Sequence, residues 1–214
     1  MLVRKKMRTN VITVTKDQPM TAAKKLLKEN RIRHLPVVEG KKLVGLVTNM
    51  DIRKAEASPA ASLHNFEVDY LLDKIDVEDI MTRNVMTVSP DTSVEEAATV
   101  LHHNKIGCLP VVENGDLVGI LTEEDVMEIL IEVMGIKEKG SRLEIVVDDK
   151  AGPLAEITRI IKQQEVNIVS LITDKADEAG KRIITVKLRT FYFEPIKKDL
   201  ESAGFNVQYA RTEK

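Results

Sequence analysis

Tryptophan is absent from this 214-residue chain, aromatic residues make up 3% of it, and it holds one cysteine. The lone Cys108 excludes an intrachain disulfide and a cysteine-built zinc site, and it fits a reducing compartment. Basic residues are scattered through periodic segments rather than gathered into an arginine-rich arm, which with so few aromatics argues against a nucleic-acid partner. No apolar run approaches the roughly 18 residues that cross a bilayer. Met1-Leu2-Val3-Arg4-Lys5-Lys6 carries charge without the apolar core of a signal peptide, so a cytoplasmic location with no membrane partner is the expectation. Common catalytic signatures are missing as well: no Gly-x-Ser-x-Gly, Gly-x-x-x-x-Gly-Lys-Ser/Thr, Gly-x-Gly-x-x-Gly or His-Glu-x-x-His occurs. What remains is 43% hydrophobic and 31% charged, the balance of a globular protein with a core.

The net charge of -2 conceals an uneven distribution. Lys and Arg outnumber Asp and Glu by 14 to 5 in residues 1–56, are outnumbered 5 to 17 in 57–140, and nearly balance at 13 to 12 in 141–214.

The first two of these segments are one sequence written twice. Arg31-Ile32-Arg33-His34-Leu35-Pro36-Val37-Val38-Glu39 recurs as Lys105-Ile106-Gly107-Cys108-Leu109-Pro110-Val111-Val112-Glu113, and Leu43-Val44-Gly45-Leu46-Val47-Thr48 as Leu117-Val118-Gly119-Ile120-Leu121-Thr122. The offset of 74 holds without a gap from Met7/Met81 to Asp51/Asp125, with 20 identities in 45 aligned pairs. Asn84-Val85-Met86-Thr87-Val88 predicts a short strand. Ser93-Val94-Glu95-Glu96 has the spacing of a capping box, and Val94, Ala97, Ala98 and Leu101 share one helical face. Two apolar runs joined by Asn114-Gly115-Asp116 predict a hairpin, and a helix follows from Glu123. Each unit thus reads β-α-β-β-α in about 50 residues, too few to bury both sheet faces alone, so the copies should pack as a pair. The boundaries are 7–56 and 77–134. Residues 57–76 form a linker, breaker-rich at Ser58-Pro59-Ala60-Ala61-Ser62 and then a connector helix around Phe66, Tyr70, Leu71 and Leu72.

Residues 141–214 follow another grammar. Leu143 to Val147 reads as a strand, with a turn and helix start at Asp149-Lys150-Ala151-Gly152-Pro153. Leu154, Ile157, Ile160 and Ile161 then share a face, and Asn167 to Thr173 and Arg182 to Leu188 form a hairpin. Pro195 opens a second helix that Gly204 ends, and Phe205 to Tyr209 is a last strand. The order βαββαβ is the ferredoxin-like split arrangement, and the fold class of the whole is α+β.

The most informative element is Gly45-Leu46-Val47-Thr48-Asn49-Met50-Asp51, echoed at Gly119 to Asp125. On one reading Thr and Asp close a capping box on the next helix. On the other, the same helix start offers amides and a hydroxyl to a phosphate while the carboxylate accepts from both ribose hydroxyls. The two are compatible. Arg33 and His34, with Arg31 behind them, supply cations that a phosphate needs, or pair with the acidic second repeat. An anionic nucleotide is therefore expected mainly at Arg33, His34, Thr48 and Asp51. The Thr122/Asp125 cleft, with Gly107 and Cys108 nearby, is expected to hold a nucleoside, a cationic ligand or nothing. His102-His103 reads as a solvated helix end rather than a metal pair, since adjacent helical residues point about 100° apart. Cys108 reads as a small buried hydrophobe.

With its Leu-Pro-Val-Val strand and Gly-x-x-Thr-x-x-Asp tail, each repeat resembles a cystathionine-β-synthase (CBS) domain, and the tandem resembles a Bateman module. The resemblance implies a cleft ligand such as AMP, ADP, ATP or S-adenosylmethionine. Thr48, Asp51, Thr122 and Asp125 would meet phosphate and ribose, Arg33 and His34 the phosphate, and Ile12 and Met86 the base. Residues 141–214 resemble an ACT domain through Asp149, Gly152, Leu154 and Val166-Asn167-Ile168, although the family's first turn proline is missing. This implies a small amino acid bound near Asp149, Gly152, Leu154, Asn167 and Ile168 where two copies meet; a glycine turn with an Asp cap and no ligand is the alternative. The order CBS-CBS-ACT resembles the acetoin-utilization B family and implies a role near acetoin and acetyl-CoA metabolism. The expectation is a non-enzymatic sensor with no cofactor or metal, forming a homodimer and regulating a metabolic enzyme. A ligand-free dimerisation scaffold and a nucleotide hydrolase are the alternatives. The charge split predicts that the basic first repeat faces the acidic second, within or between chains, the latter as an antiparallel dimer.

Overall fold

The computed structural model describes residues 1–57 and 74–213, which divide into two units, Met1–Met127 and Glu128–Lys214. The connector expected around Phe66, Tyr70, Leu71 and Leu72 lies outside the described residues.

In the first unit, α1 (Met20–Glu29) leads to the hairpin β1 (His34–Glu39) and β2 (Lys42–Thr48), followed by α2 (Asn49–Ala57). A one-turn α3 (Val77–Ile80) precedes the second copy, made of α4 (Val94–Asn104), β3 (Cys108–Glu113), β4 (Asp116–Thr122) and α5 (Glu123–Val133), whose residues from Glu128 onward belong to the second unit. Both hairpins are antiparallel with matching register shifts, at Val37/Val38 and Val111/Val112. Positive φ at Asn114 and Gly115 supplies the tight turn that the sequence predicts. The strand order is β1-β2-β4-β3, and the hairpins share a single backbone pair, Lys42 opposite Asp116.

The first strand expected of each repeat is reduced to one parallel bridge, Val14 to Val37 and Val88 to Val111. The cause is the proline of the partner strand. Val38 N–H donates to Val14 O and Val14 N–H to Pro36 O, and the next bond of the ladder would need an N–H at Pro36. Pro110 stops the second copy in the same way, beyond Val88.

The repeats are held together by exchanged lead-ins. Arg8 and Ile120 trade two backbone bonds of 3.0 Å, and Thr82 and Leu46 trade bonds of 2.9 and 3.0 Å. Val3 packs its fully buried side chain beside the second repeat, where Val3 N–H bonds Thr92 O, and the equivalent Val77 lies in the core of the first. Gly45 and Gly119 allow this close approach, since a Cβ there would lie 3.2 Å from Thr82 O and 3.1 Å from Arg8 O. Charge follows the same route. Arg4 pairs with Asp91 at 2.5 Å, Arg8 with Asp125, and the N-terminal amine with Glu95, so the basic first repeat meets the acidic second within one chain.

The second unit is an antiparallel sheet ordered β6-β7-β5-β8, from β5 (Gly140–Asp148), β6 (Ile168–Lys175), β7 (Lys181–Leu188) and β8 (Asn206–Glu213). Two helices, α6 (Pro153–Gln163) and α7 (Glu194–Ser202), complete the βαββαβ order. Alternation puts Leu143, Ile145 and Val147 of β5 and Ile184, Val186 and Leu188 of β7 into one core with Ile157, Ile160, Ile161, Ile196 and Leu200 of the helices. Leu154 does not join this stripe; it lies in the first turn of α6 and is 42% exposed. Buried Lys187 is paired with Glu213, which also receives Arg142 and Arg211 at 3.2 Å.

Candidate functional site

Because the lead-ins cross over, two cavities of the first unit take their walls from both repeats. The larger, about 780 Å³, joins Leu46 and Thr48 to Asp51 with Lys54 from the first repeat to Thr82, Asn84 to Met86 and Asn104 to Cys108 from the second. The smaller, about 400 Å³, joins Arg8, Asn10 to Ile12 and Asn30 to His34 from the first to Ile120 and Thr122 to Glu124 from the second. Arg33, His34 and Gly107 line both. Arg33, His34, Thr48 and Asp51 therefore do meet in one cavity. Ile12, expected near the base of the same ligand, is instead in the other cavity with Thr122, and Met86 is the residue that accompanies Thr48 and Asp51.

The Thr-x-x-Asp box is closed in both copies. Thr48 donates from its amide (2.9 Å) and its hydroxyl (2.7 Å) to Asp51 Oδ2, and Asp51 N–H returns to Thr48 Oγ1 at 3.3 Å. Thr122 and Asp125 repeat this at 2.9, 2.6 and 3.2 Å. Asn49 N–H is used by Arg33 O, which leaves fewer helix-start amides for a phosphate than the sequence suggests. Capping takes one carboxylate oxygen, so the structural and functional readings share the motif instead of competing for it.

Each cavity is lined by three cationic side chains, Arg33 with Lys54 and Lys105 in the larger and Arg33 with Arg8 and Arg31 in the smaller, but acidic and apolar groups are unequally shared. The larger cavity holds Arg33, Lys54 and Lys105 against Asp51, together with Met50 and Met86, which are 57% and 47% exposed. At the position of Met50 the smaller cavity has Glu124, 3.9 Å from Arg33. That ion pair is solvent-exposed and contributes at most about 1 kcal/mol. Lys54 and Lys105 were not singled out by sequence reasoning, although Lys105 is the repeat counterpart of Arg31.

His34, expected as a phosphate contact, is half-buried between the two cavities. Burial, then the Arg33 charge, holds its pKa below the ordinary histidine value despite the opposing pull of Glu123. It occupies the space over Gly107, where a Cβ would come within 2.7 Å of Nε2. Gly107 is thus the residue that makes room for His34, not merely the place where a basic side chain was lost. Buried Cys108 has its thiol pushed up to about 12, which removes the thiolate needed for nucleophilic chemistry. His102 and His103 sit edge-to-face, 6.1 Å apart, in the last turn of α4.

A model of the CBS domain matches residues 3–58 and 77–132. The chain belongs to the CBS-domain family. It is 30% identical over 194 residues, 85% of its length, to an inosine-5′-monophosphate dehydrogenase of Korarchaeum cryptofilum, but spans only 38% of that enzyme. Among solved structures, a Vibrio cholerae chain described as an acetoin utilization protein (AcuB) is similar at 30% identity and a TM-score of 0.56, covering 64% of this chain and 95% of its own. The CBS domain pair of protein MJ0100, in complex with 5′-methylthioadenosine and S-adenosylmethionine, is 33% identical with a TM-score of 0.52, covering 61% and 95%. CBSX2 in complex with AMP is 29% identical with the same TM-score, covering 62% and 97%. Two proteins similar to this CBS pair thus hold adenosine ligands.

Beyond the CBS pair, the five candidate residues of the second unit are not gathered in one place. Asn167 and Ile168 line a groove of about 300 Å³ with Thr158, Lys162 and Glu165, and neither Asp149, Gly152 nor Leu154 lines it. The physical reason is α6 itself: eleven helical residues, about 16 Å, separate the Gly152 end from the Asn167 end. Asp149 does not cap α6 either. Its carboxylate lies 3.8 Å from Arg182, and the N-cap position is Gly152, whose φ of +116° suits glycine while open space surrounds its Cβ position.

Proposed function

We propose that the CBS pair is a non-enzymatic sensor that binds one adenine nucleotide, of the class AMP, ADP, ATP or S-adenosylmethionine, in the larger cavity. One observation carries this reading: two exposed methionines, a carboxylate with an oxygen to spare and three cations line one cavity of ligand size. Met50 and Met86 offer a soft apolar platform to a purine. The ribose hydroxyls donate to Asp51, and the phosphate is taken by Arg33, Lys54 and Lys105. Because the walls come from both repeats, whose hairpins share a single backbone pair, a bound ligand biases how the repeats pack and so passes on its presence. The buried thiol of Cys108, its pKa pushed up to about 12, favours sensing over thiolate chemistry.

The finer assignments belong to the same reading. The βαββαβ order and the turn at Gly152-Pro153 support an ACT domain in the second unit, with a small amino acid as its ligand class. Similarity to the acetoin utilization chain supports a link to acetoin metabolism and a metabolic enzyme as partner. Exposed Leu130, Val133 and Ile136 favour association into a homodimer.

Isothermal titration calorimetry with AMP, ADP, ATP and S-adenosylmethionine tests the central claim. Binding by the wild type that weakens at least tenfold in Asp51→Asn, with the fold intact by circular dichroism, supports it. Absence of heat with all four ligands overturns it and leaves the scaffold reading.

A further inference from the structure

We propose that Arg8 closes the smaller cavity to a ribose, so that each chain takes one adenine nucleotide rather than two. This rests on the reading above that the Asp of the Thr-x-x-Asp box receives the ribose hydroxyls.

The internal repeat supplies its own control. Arg8 and Thr82 are equivalent positions at the offset of 74, and their backbones are held alike, each by a pair of bonds to the strand of the other repeat. Their side chains differ, and so does the state of the carboxylate each one faces. Asp125 has both oxygens engaged: Oδ2 by Thr122, and Oδ1 by Arg8 through Nε at 2.8 Å and Nη2 at 2.7 Å. Asp51 has Oδ2 engaged by Thr48, and among the described residues nothing donates to its Oδ1. The threonine at 82 carries neither the length nor the charge to do so.

A ribose diol arriving at Asp125 would have to displace a guanidinium that holds a carboxylate only 11% exposed by a charge-assisted hydrogen bond and an ion pair, and would replace these with bonds from neutral hydroxyls. At Asp51 Oδ1 the same diol displaces no donor among the described residues. The neighbouring substitution points the same way, since Glu124 stands where Met50 would receive the base and repels a phosphate.

The experiment is AMP titration by calorimetry on the full chain, comparing the wild type with Arg8→Thr, Arg8→Gln and the converse Thr82→Arg, each checked for an unchanged circular dichroism spectrum. The expected stoichiometries are one AMP per chain for the wild type and two for Arg8→Thr and Arg8→Gln, with affinity at the second site raised at least tenfold. Thr82→Arg should lose the wild-type site. Two sites in the wild type, or one site in both folded Arg8 variants, overturns the role of Arg8 while leaving the ribose reading in place. No binding by the wild type or by either Arg8 variant overturns the ribose reading and this proposal with it.

Discussion

Gly107→Ala should destabilise this protein, and the reason is a single side chain. Gly107 is not among the glycines with positive φ, so alanine meets no backbone penalty there and should gain about 0.4–1 kcal/mol by restricting the unfolded chain. Against this, the new Cβ would stand 2.7 Å from His34 Nε2 and 2.9 Å from Cε1, where ordinary contact begins near 3.4 Å. The ring must move by roughly 0.7 Å in a half-buried site, an overpacking cost of about 1–3 kcal/mol. Net of the unfolded-chain gain and at about 3 °C per kcal/mol, the melting temperature of the first unit should fall by up to roughly 8 °C. The same substitution in a His34→Ala background has nothing to strike and should be neutral or stabilising. A double-mutant cycle by urea denaturation should therefore return a coupling of at least about 1 kcal/mol between positions 34 and 107. Equal effects of Gly107→Ala in both backgrounds would refute the packing argument.

The lowered pKa of His34 also predicts a pH dependence. Its folded pKa lies below the unfolded value, so as pH drops through the unfolded value near 6.5 the unfolded chain binds the proton first and stability falls; His34→Gln should lessen that acid sensitivity in a melting series. In the second unit, Glu213→Gln leaves Lys187, 1% exposed, without its counter-charge and should cost about 3 kcal/mol in chemical denaturation. Lys187→Met should cost less, because Arg142 and Arg211 still neutralise Glu213, and the opposite ranking would contradict the pairing.

Much of the framework was legible in the sequence because it depends on local chemistry. The Asn114-Gly115 turn, the Ser93 cap on Glu96 N–H and the core stripe of Ile157, Ile160 and Ile161 each follow from a few neighbouring residues. Pro36 and Pro110 were equally visible, yet their consequence for the first strands appears only once the partner strand is known. The exchange of lead-ins was hidden for a different reason. Val3 and Val77 share their identity, but the adjoining Arg4-Lys5 faces Glu78-Asp79 in the alignment, and that reversal of charge breaks the similarity where each segment binds the opposite repeat.

The alignment of the two copies nevertheless separates framework from site more sharply than either copy alone. Positions that are identical across the offset, such as the Leu-Pro-Val-Val strand, Gly45 and Gly119, and the Thr and Asp of each box, build the sheet, the crossing and the helix caps. Several positions that differ, Arg8 against Thr82, Arg33-His34 against Gly107-Cys108 and Met50 against Glu124, line the two cavities. Repeat detection weights the identities and passes over these differences, so it finds the scaffold and misses what distinguishes one cavity from the other. Pairing across non-equivalent residues makes those differences act together: Gly107 admits His34, Thr82 leaves Asp51 an open oxygen, and Arg8 occupies Asp125. Two copies of one framework thereby become two chemically unlike cavities, and the asymmetry resides in side chains whose backbones still obey the repeat.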